Sequence, residues 1–424
     1  MNKFRQVLIG LGCTCALFLA AACQPTPEER LASAEQYLAD GDYRTATIEL
    51  RNLLQAAPDD SRARLLLART SYQLGDFSDA ISQYERAIGL GETEPETWVA
   101  FGRALLSQGR AIDAFERVVP NVDAADGDEA ILVFLGDVQF SMNNMERADS
   151  YYQQVLSANP MSVDGLIGRA MVMANAGDLQ EAQKVLDSAL AIDAQASSVW
   201  LARGRIYQAD GRFEDAATAY DNAIQLQTPH TPLAESFSAR VSYVSSLIDS
   251  QQLDLAATQL AALIDRFPDH PVSGFLSGRL AFAQGDYDNA QLALQDYLSS
   301  NPGDARGQAI LGAITFSQDN LRQAESHLIA AVRANAGGDA TRRLLAETRL
   351  RLNDPEGALD VLRSIYAVGQ LDTAYLSMLG RAQVAAGDDQ AAIDYFRQGV
   401  AQSPDDDTVR LALAATYLKT NQAE

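Results

Sequence analysis

Five arginines recur at one position of an internal register in this chain: Arg69, Arg103, Arg205, Arg279 and Arg381. A guanidinium presents a planar fork of donors that grips carboxylates, so the column predicts a ladder for carboxylates on a partner peptide or an acidic polysaccharide. The competing expectation is that each arginine pairs with acidic side chains of neighbouring helices. Three positions further along, the same register is mostly apolar and includes Tyr72, Leu106, Phe140, Phe282 and Phe316. An apolar stripe of this kind suits an amphipathic or extended peptide, and packing between adjacent helices accounts for it as readily.

Catalysis finds little to work with. The three histidines, His230, His270 and His327, are spaced too widely to build a metal set, and all three cysteines fall within the first 23 residues. No G-x-S-x-G, no P-loop and no G-x-G-x-x-G following a strand is present. The expectation is a binding protein with no catalytic residues, no cofactor and no metal.

The register belongs to a repeat. Ala46, Ala80, Ala114, Ala148, Ala182 and Ala216 stand 34 residues apart, as do Ala256, Ala290, Ala324, Ala358 and Ala392, and one step of 40 joins the two runs. Numbering each unit so that this alanine is position 20 starts the repeats at 27, 61, 95, 129, 163, 197, 237, 271, 305, 339, 373 and 407. Position 8 is small in nearly every unit, with Gly102, Gly136, Gly204, Gly278, Gly312 and Gly380 among its occupants and Val244 the exception. Between the two small columns lie Gly41-Asp42, Gly75-Asp76, Gly177-Asp178, Gly285-Asp286 and Gly387-Asp388, the signature of a helix ending on a left-handed glycine. The unit is therefore helix, tight turn, helix, and small residues let the paired helices approach closely. Pro58, Pro160, Pro268, Pro302 and Pro404 close the second helices, and Asp60 and Asp304 are placed to cap the next ones.

Trp200, Gly204, Tyr207, Gly211, Ala216, Tyr220 and Ala223 carry a spacing that resembles the tetratricopeptide repeat. The resemblance covers residues 27–424, with repeats 4, 7, 9 and 10 more degenerate. It implies an all-α, right-handed α-solenoid of about eleven and a half repeats, the twelfth stopping after its first helix. Such arrays hold proteins or peptides in a groove lined by their first helices. Together with the leader described next, the stretch SAEQYLADGDYRTATIELRNLLQAAPDDSRARLLLARTSYQLGD is similar to repeat lipoproteins associated with PEP-CTERM protein sorting and exopolysaccharide systems.

Lys3 and Arg5 precede an uncharged run over residues 7–22, which ends in Ala20-Ala21-Ala22 before Cys23. This is the layout of a secretory signal, and the run is shorter than the roughly 20 apolar residues that span a bilayer. Small residues before a cysteine resemble the lipobox of bacterial lipoproteins, which implies that Cys23 becomes the acylated first residue. An ordinary cut releasing a soluble periplasmic protein is the alternative. Gln24 rather than Asp follows the cysteine, which by the same resemblance points to the outer membrane.

The formal charge of −23 repels phosphates, so nucleic acid is not an expected partner. The organisation expected is a signal peptide over 1–22, a linker over 23–26, repeats 1–6 over 27–228, a junction over 229–236 and repeats 7–12 over 237–424. Two prolines in Thr228-Pro229-His230-Thr231-Pro232 mark that junction. The function expected is a lipid-anchored, periplasm-facing scaffold in an envelope complex, with exopolysaccharide export or protein sorting as its setting. A soluble adaptor or chaperone, or direct acidic-polysaccharide binding through the arginine column, are the alternatives.

Overall fold

The computed structural model describes residues 25–123, 127–268, 270–366 and 372–420. The leader, Cys23 and the last four residues lie outside them. Within the described residues are 23 α-helices, one 3-10 turn and no strand, which is eleven helix pairs and one further first helix. Outside repeat 7, each first helix packs on its own second helix, and within each unit a second helix packs on the first helix of the repeat that follows.

All eleven register alanines are 0% exposed. The small residue at position 8 has an equally direct cause. A Cβ on Gly136 would stand 2.5 Å from the Tyr152 ring, one on Gly204 would stand 2.6 Å from Tyr220, and one on Gly278 would stand 2.5 Å from Leu294. The partner in each case sits at position 24 of the same repeat. Large buried side chains such as Phe134, Tyr220 and Phe396 fill the space so opened, each contributing roughly 1.5–3 kcal/mol of apolar burial.

Position 15 is left-handed in all eleven pairs. Gly41 has φ +76°, Gly75 +78° and Gly285 +77°, and the four degenerate repeats hold the same conformation with Asn143, Gln251, Asp319 and Asn353 at 60 to 63°. The aspartate that follows often caps the second helix: Asp42 accepts from the Thr45 N–H, Asp76 from Asp79 and Asp388 from Ala391. Asp60 and Asp304 cap first helices in the same manner.

Two segments depart from the regular unit. The second helix of repeat 3, Ala111–Arg117, is cut short and passes into the 3-10 turn Val119–Asn121, because Pro120 lacks the N–H that would continue it. Repeat 7 opens with Leu233–Asp249, four residues longer at its start than the register requires. The chain forms two compact units that divide between Ser246 and Leu247. The junction expected at 229–236 lies within the first unit. Its Pro229 packs on the turn at Gly41, Ala234 lies against Gly75, and Tyr43 Oη is 3.2 Å from His230 Nδ1.

Candidate functional site

On a helix of 3.6 residues per turn, positions 2, 5, 9 and 12 share one face. In repeats 3 to 6 position 9 is Arg103, Asp137, Met171 and Arg205, and all four line one cavity of about 660 Å³. Leu106 and Phe140 from position 12, Val133 and Ile167 from position 5, and Asp164 and Ser198 from position 2 complete its walls. Tyr72 closes it from repeat 2 and Glu235 from the extended start of the repeat 7 helix. A second lobe of about 380 Å³ shares Tyr72 and Arg103 and adds Arg69, Gln73, Val99 and Ile131. The larger volume lies within the range of ligand sites.

Tyr152 reaches this chamber from a second helix. Its ring passes between Gly136 and Gly168, either of which would collide with it if it carried a Cβ, and its hydroxyl donates to Asp137 Oδ1 at 2.8 Å. Burial raises the Asp137 carboxyl to about 6, against the opposing pull of the Tyr152 hydroxyl and the positive field of Arg103. Burial and the adjacent Asp137 push the Tyr152 phenol up. Glu235 is raised by burial as well, opposed by Arg205 and the Ser197 hydroxyl. The chamber therefore sets carboxyls among guanidiniums without neutralising them by contact.

The arginine column divides between the two units. In the second unit Arg279 Nη2 meets Asp249 Oδ1 at 2.6 Å, and Arg381 pairs with Glu347. In the first unit no carboxylate of a described residue lies within 4.0 Å of the guanidinium of Arg69, Arg103 or Arg205. The apolar column divides likewise. Phe282 packs on Tyr287 at 5.7 Å and Phe316 lies under the Arg351 guanidinium at 4.9 Å; in the first unit Tyr72 packs on Phe77 at 5.4 Å in the same way but also lines the chamber, as do Leu106 and Phe140.

Asp137, Tyr152, Asp164 and Glu235 were not singled out from the sequence. Asp137 occupies the arginine position of a degenerate repeat, and that break in the column was the available signal. Glu235 comes from the inserted residues, where a repeat register offers no guide. Among the described residues no cluster of histidine and carboxylate side chains could hold a metal ion, and no helix is long and apolar enough to cross a membrane.

Sequence profiles described as Tetratricopeptide repeat match residues 72–128, 135–197, 201–271 and 343–407, and a second profile of that description matches 37–98 and 247–314. Cellulose synthase operon protein C of Pseudomonas fluorescens (strain SBW25) is 23% identical over 420 residues, covering 93% of this chain but 30% of the relative. Tetratricopeptide repeat protein 7B of Homo sapiens is 21% identical over 135 residues, 32% of this chain and 16% of that protein. The chain thus spans less than a third of the length of either relative. Among solved structures, the hetero-tetramer Cut9-Hcn1 of APC/C aligns over 92% of this chain and 83% of its own, with 16% identity and a TM-score of 0.49. Yeast Tom70 aligns over 99% and 94%, with 14% identity and a TM-score of 0.47.

Proposed function

The chain belongs to the tetratricopeptide repeat family, and from that premise we propose that it is a non-catalytic scaffold of the cell envelope, anchored by lipid at Cys23 and facing the periplasm. Its outer surface holds proteins of an exopolysaccharide export complex. Its first unit holds a ligand in the chamber between Arg103 and Arg205. The observation that carries the holding role is the face shared by four successive first helices, which converges on one cavity with two arginines that meet no carboxylate of a described residue within 4.0 Å. Ile48, Ile112 and Leu292 stand 58%, 63% and 67% exposed on second helices and offer apolar contacts to protein partners.

Export of a polysaccharide is favoured over protein sorting by the relative that aligns with nearly the whole chain, whose name belongs to a cellulose synthase operon. The anchor follows from the leader, where Cys23 is the one cysteine retained after cleavage. Two or more acyl chains, at about 0.8 kcal/mol per buried methylene, hold a protein stably at a bilayer.

Mass spectrometry of the mature amino terminus tests this reading together with detergent partitioning. A chain that begins at acylated Cys23 and follows the membrane fraction is expected, with Cys23→Ala shifting it to the soluble fraction. Unmodified Cys23 in a detergent-free soluble fraction would overturn it and favour the soluble adaptor.

A further inference from the structure

The chemistry of the chamber wall is more specific than a basic groove. Asp137, Asp164 and Glu235 share it with Arg103 and Arg205. An acidic peptide or a uronate chain would set its charges against three carboxyls, and a basic segment would set its own against two guanidiniums. Unlike charges left apart at a half-dry wall keep unused donors and acceptors, and a ligand that is neutral overall but rich in both satisfies them best.

We propose that the chamber of the first unit binds a short segment of a neutral, hydroxyl-rich oligosaccharide. This rests on the reading that the chamber is a binding site, and it replaces a carboxylate-bearing ligand by an uncharged one. The guanidiniums of Arg103 and Arg205 donate to hydroxyl and ring oxygens, while Asp164 and Glu235 accept from hydroxyl hydrogens. Ser141 and Ser198 add groups that do both, and Ser107, whose hydroxyl donates to the Arg103 carbonyl, adds an acceptor. Tyr72, Leu106 and Phe140 supply apolar surface for the C–H faces of sugar rings.

The extent of the wall sets how much of a ligand it contacts at once. Pro229 and Ala234 lie against the turns at Gly41 and Gly75, so the segment that carries Glu235 into the wall also binds the first unit's last repeat to its first two. A volume of about 660 Å³ at this open, concave wall accommodates a few sugar residues at a time.

Calorimetric titration of the full chain in detergent tests the proposal with neutral tetrasaccharides of glucose, mannose, galactose and N-acetylglucosamine. A uronate tetrasaccharide and an acidic hexapeptide run beside them. At least one neutral tetrasaccharide is expected to bind, about tenfold or more weakly to Arg205→Ala and Asp164→Asn, and unchanged to Arg381→Ala in the second unit. Circular dichroism of each variant separates lost contacts from lost fold. The proposal is overturned if no neutral tetrasaccharide binds, if the uronate or the peptide binds more tightly, or if binding survives both chamber substitutions in folded protein. An acylated, membrane-bound chain that binds none of the sugars would leave the scaffold reading standing and remove this one alone.

Discussion

Tyr152 uses its ring as a spacer between two repeats and its hydroxyl as a donor inside the chamber. Gly136 and Gly168 exist as glycines because that ring leaves no room for a Cβ, and the hydroxyl's acceptor is a carboxyl whose titration is displaced upward by burial to about 6. The sign of the stability effect follows from the displacement. Between the ordinary carboxylate value and about 6, the folded chain binds more protons than the unfolded chain, so stability falls as pH rises across that window and stays lower above it. Asparagine keeps an oxygen for Tyr152 and has no charge to desolvate. Asp137→Asn is therefore expected to melt about one to three degrees higher than the parent near pH 7.5, with the gap closing near pH 4. A gap that is constant or inverted across a pH series of thermal scans would contradict the burial of this carboxyl.

At the scale of elements, the turn between paired helices shows what a register can and cannot reveal. Gly41, Gly75, Gly285 and Gly387 marked the turn in the sequence because a left-handed residue ends the first helix most easily as glycine. Repeats 4, 7, 9 and 10 looked degenerate, yet their backbone bends identically at Asn143, Gln251, Asp319 and Asn353. In repeats 4 and 9 the close packing of Gly136 on Tyr152 and of Gly312 on Leu328 accompanies a turn whose own residue is not glycine. Asparagine and aspartate accept this conformation, whereas glutamine has no short side-chain bond to offset the steric cost. Gln251→Gly is expected to raise stability by about 1 kcal/mol, read as a higher denaturant midpoint, and an unchanged or lower midpoint would contradict the strain assigned to this turn. The fold was thus legible from alanine and glycine spacing. The chamber was half legible: Arg103, Arg205, Tyr72, Leu106 and Phe140 were named from their columns, while Asp137 broke its column and Glu235 lay in inserted residues outside any period. Whether an arginine serves a neighbour or a ligand depends on where the next carboxyl falls. Asp249 and Glu347 form ion pairs with Arg279 and Arg381, whereas Asp137 and Glu235 lie near enough to feel Arg103 and Arg205 but not within 4.0 Å of them.

Across the whole molecule, one repeat grammar is put to two uses. The second unit ties Arg279 and Arg381 into its own ion pairs, and the first unit turns Arg103 and Arg205 of the same column toward a cavity. A charge of −23 keeps the chain away from phosphates and bare anionic lipid, so the membrane attachment proposed above rests on the acyl chains proposed at Cys23. The account therefore assigns proteins to the outer surface and carbohydrate to the chamber. Site-specific photo-cross-linking in intact cells measures that assignment directly, with the cross-linker placed at Ile112 or Leu292 outside and at Phe140 inside. Protein adducts from the two outer positions and none from Phe140 are expected. Protein adducts captured at Phe140 while Ile112 and Leu292 capture none would contradict the account.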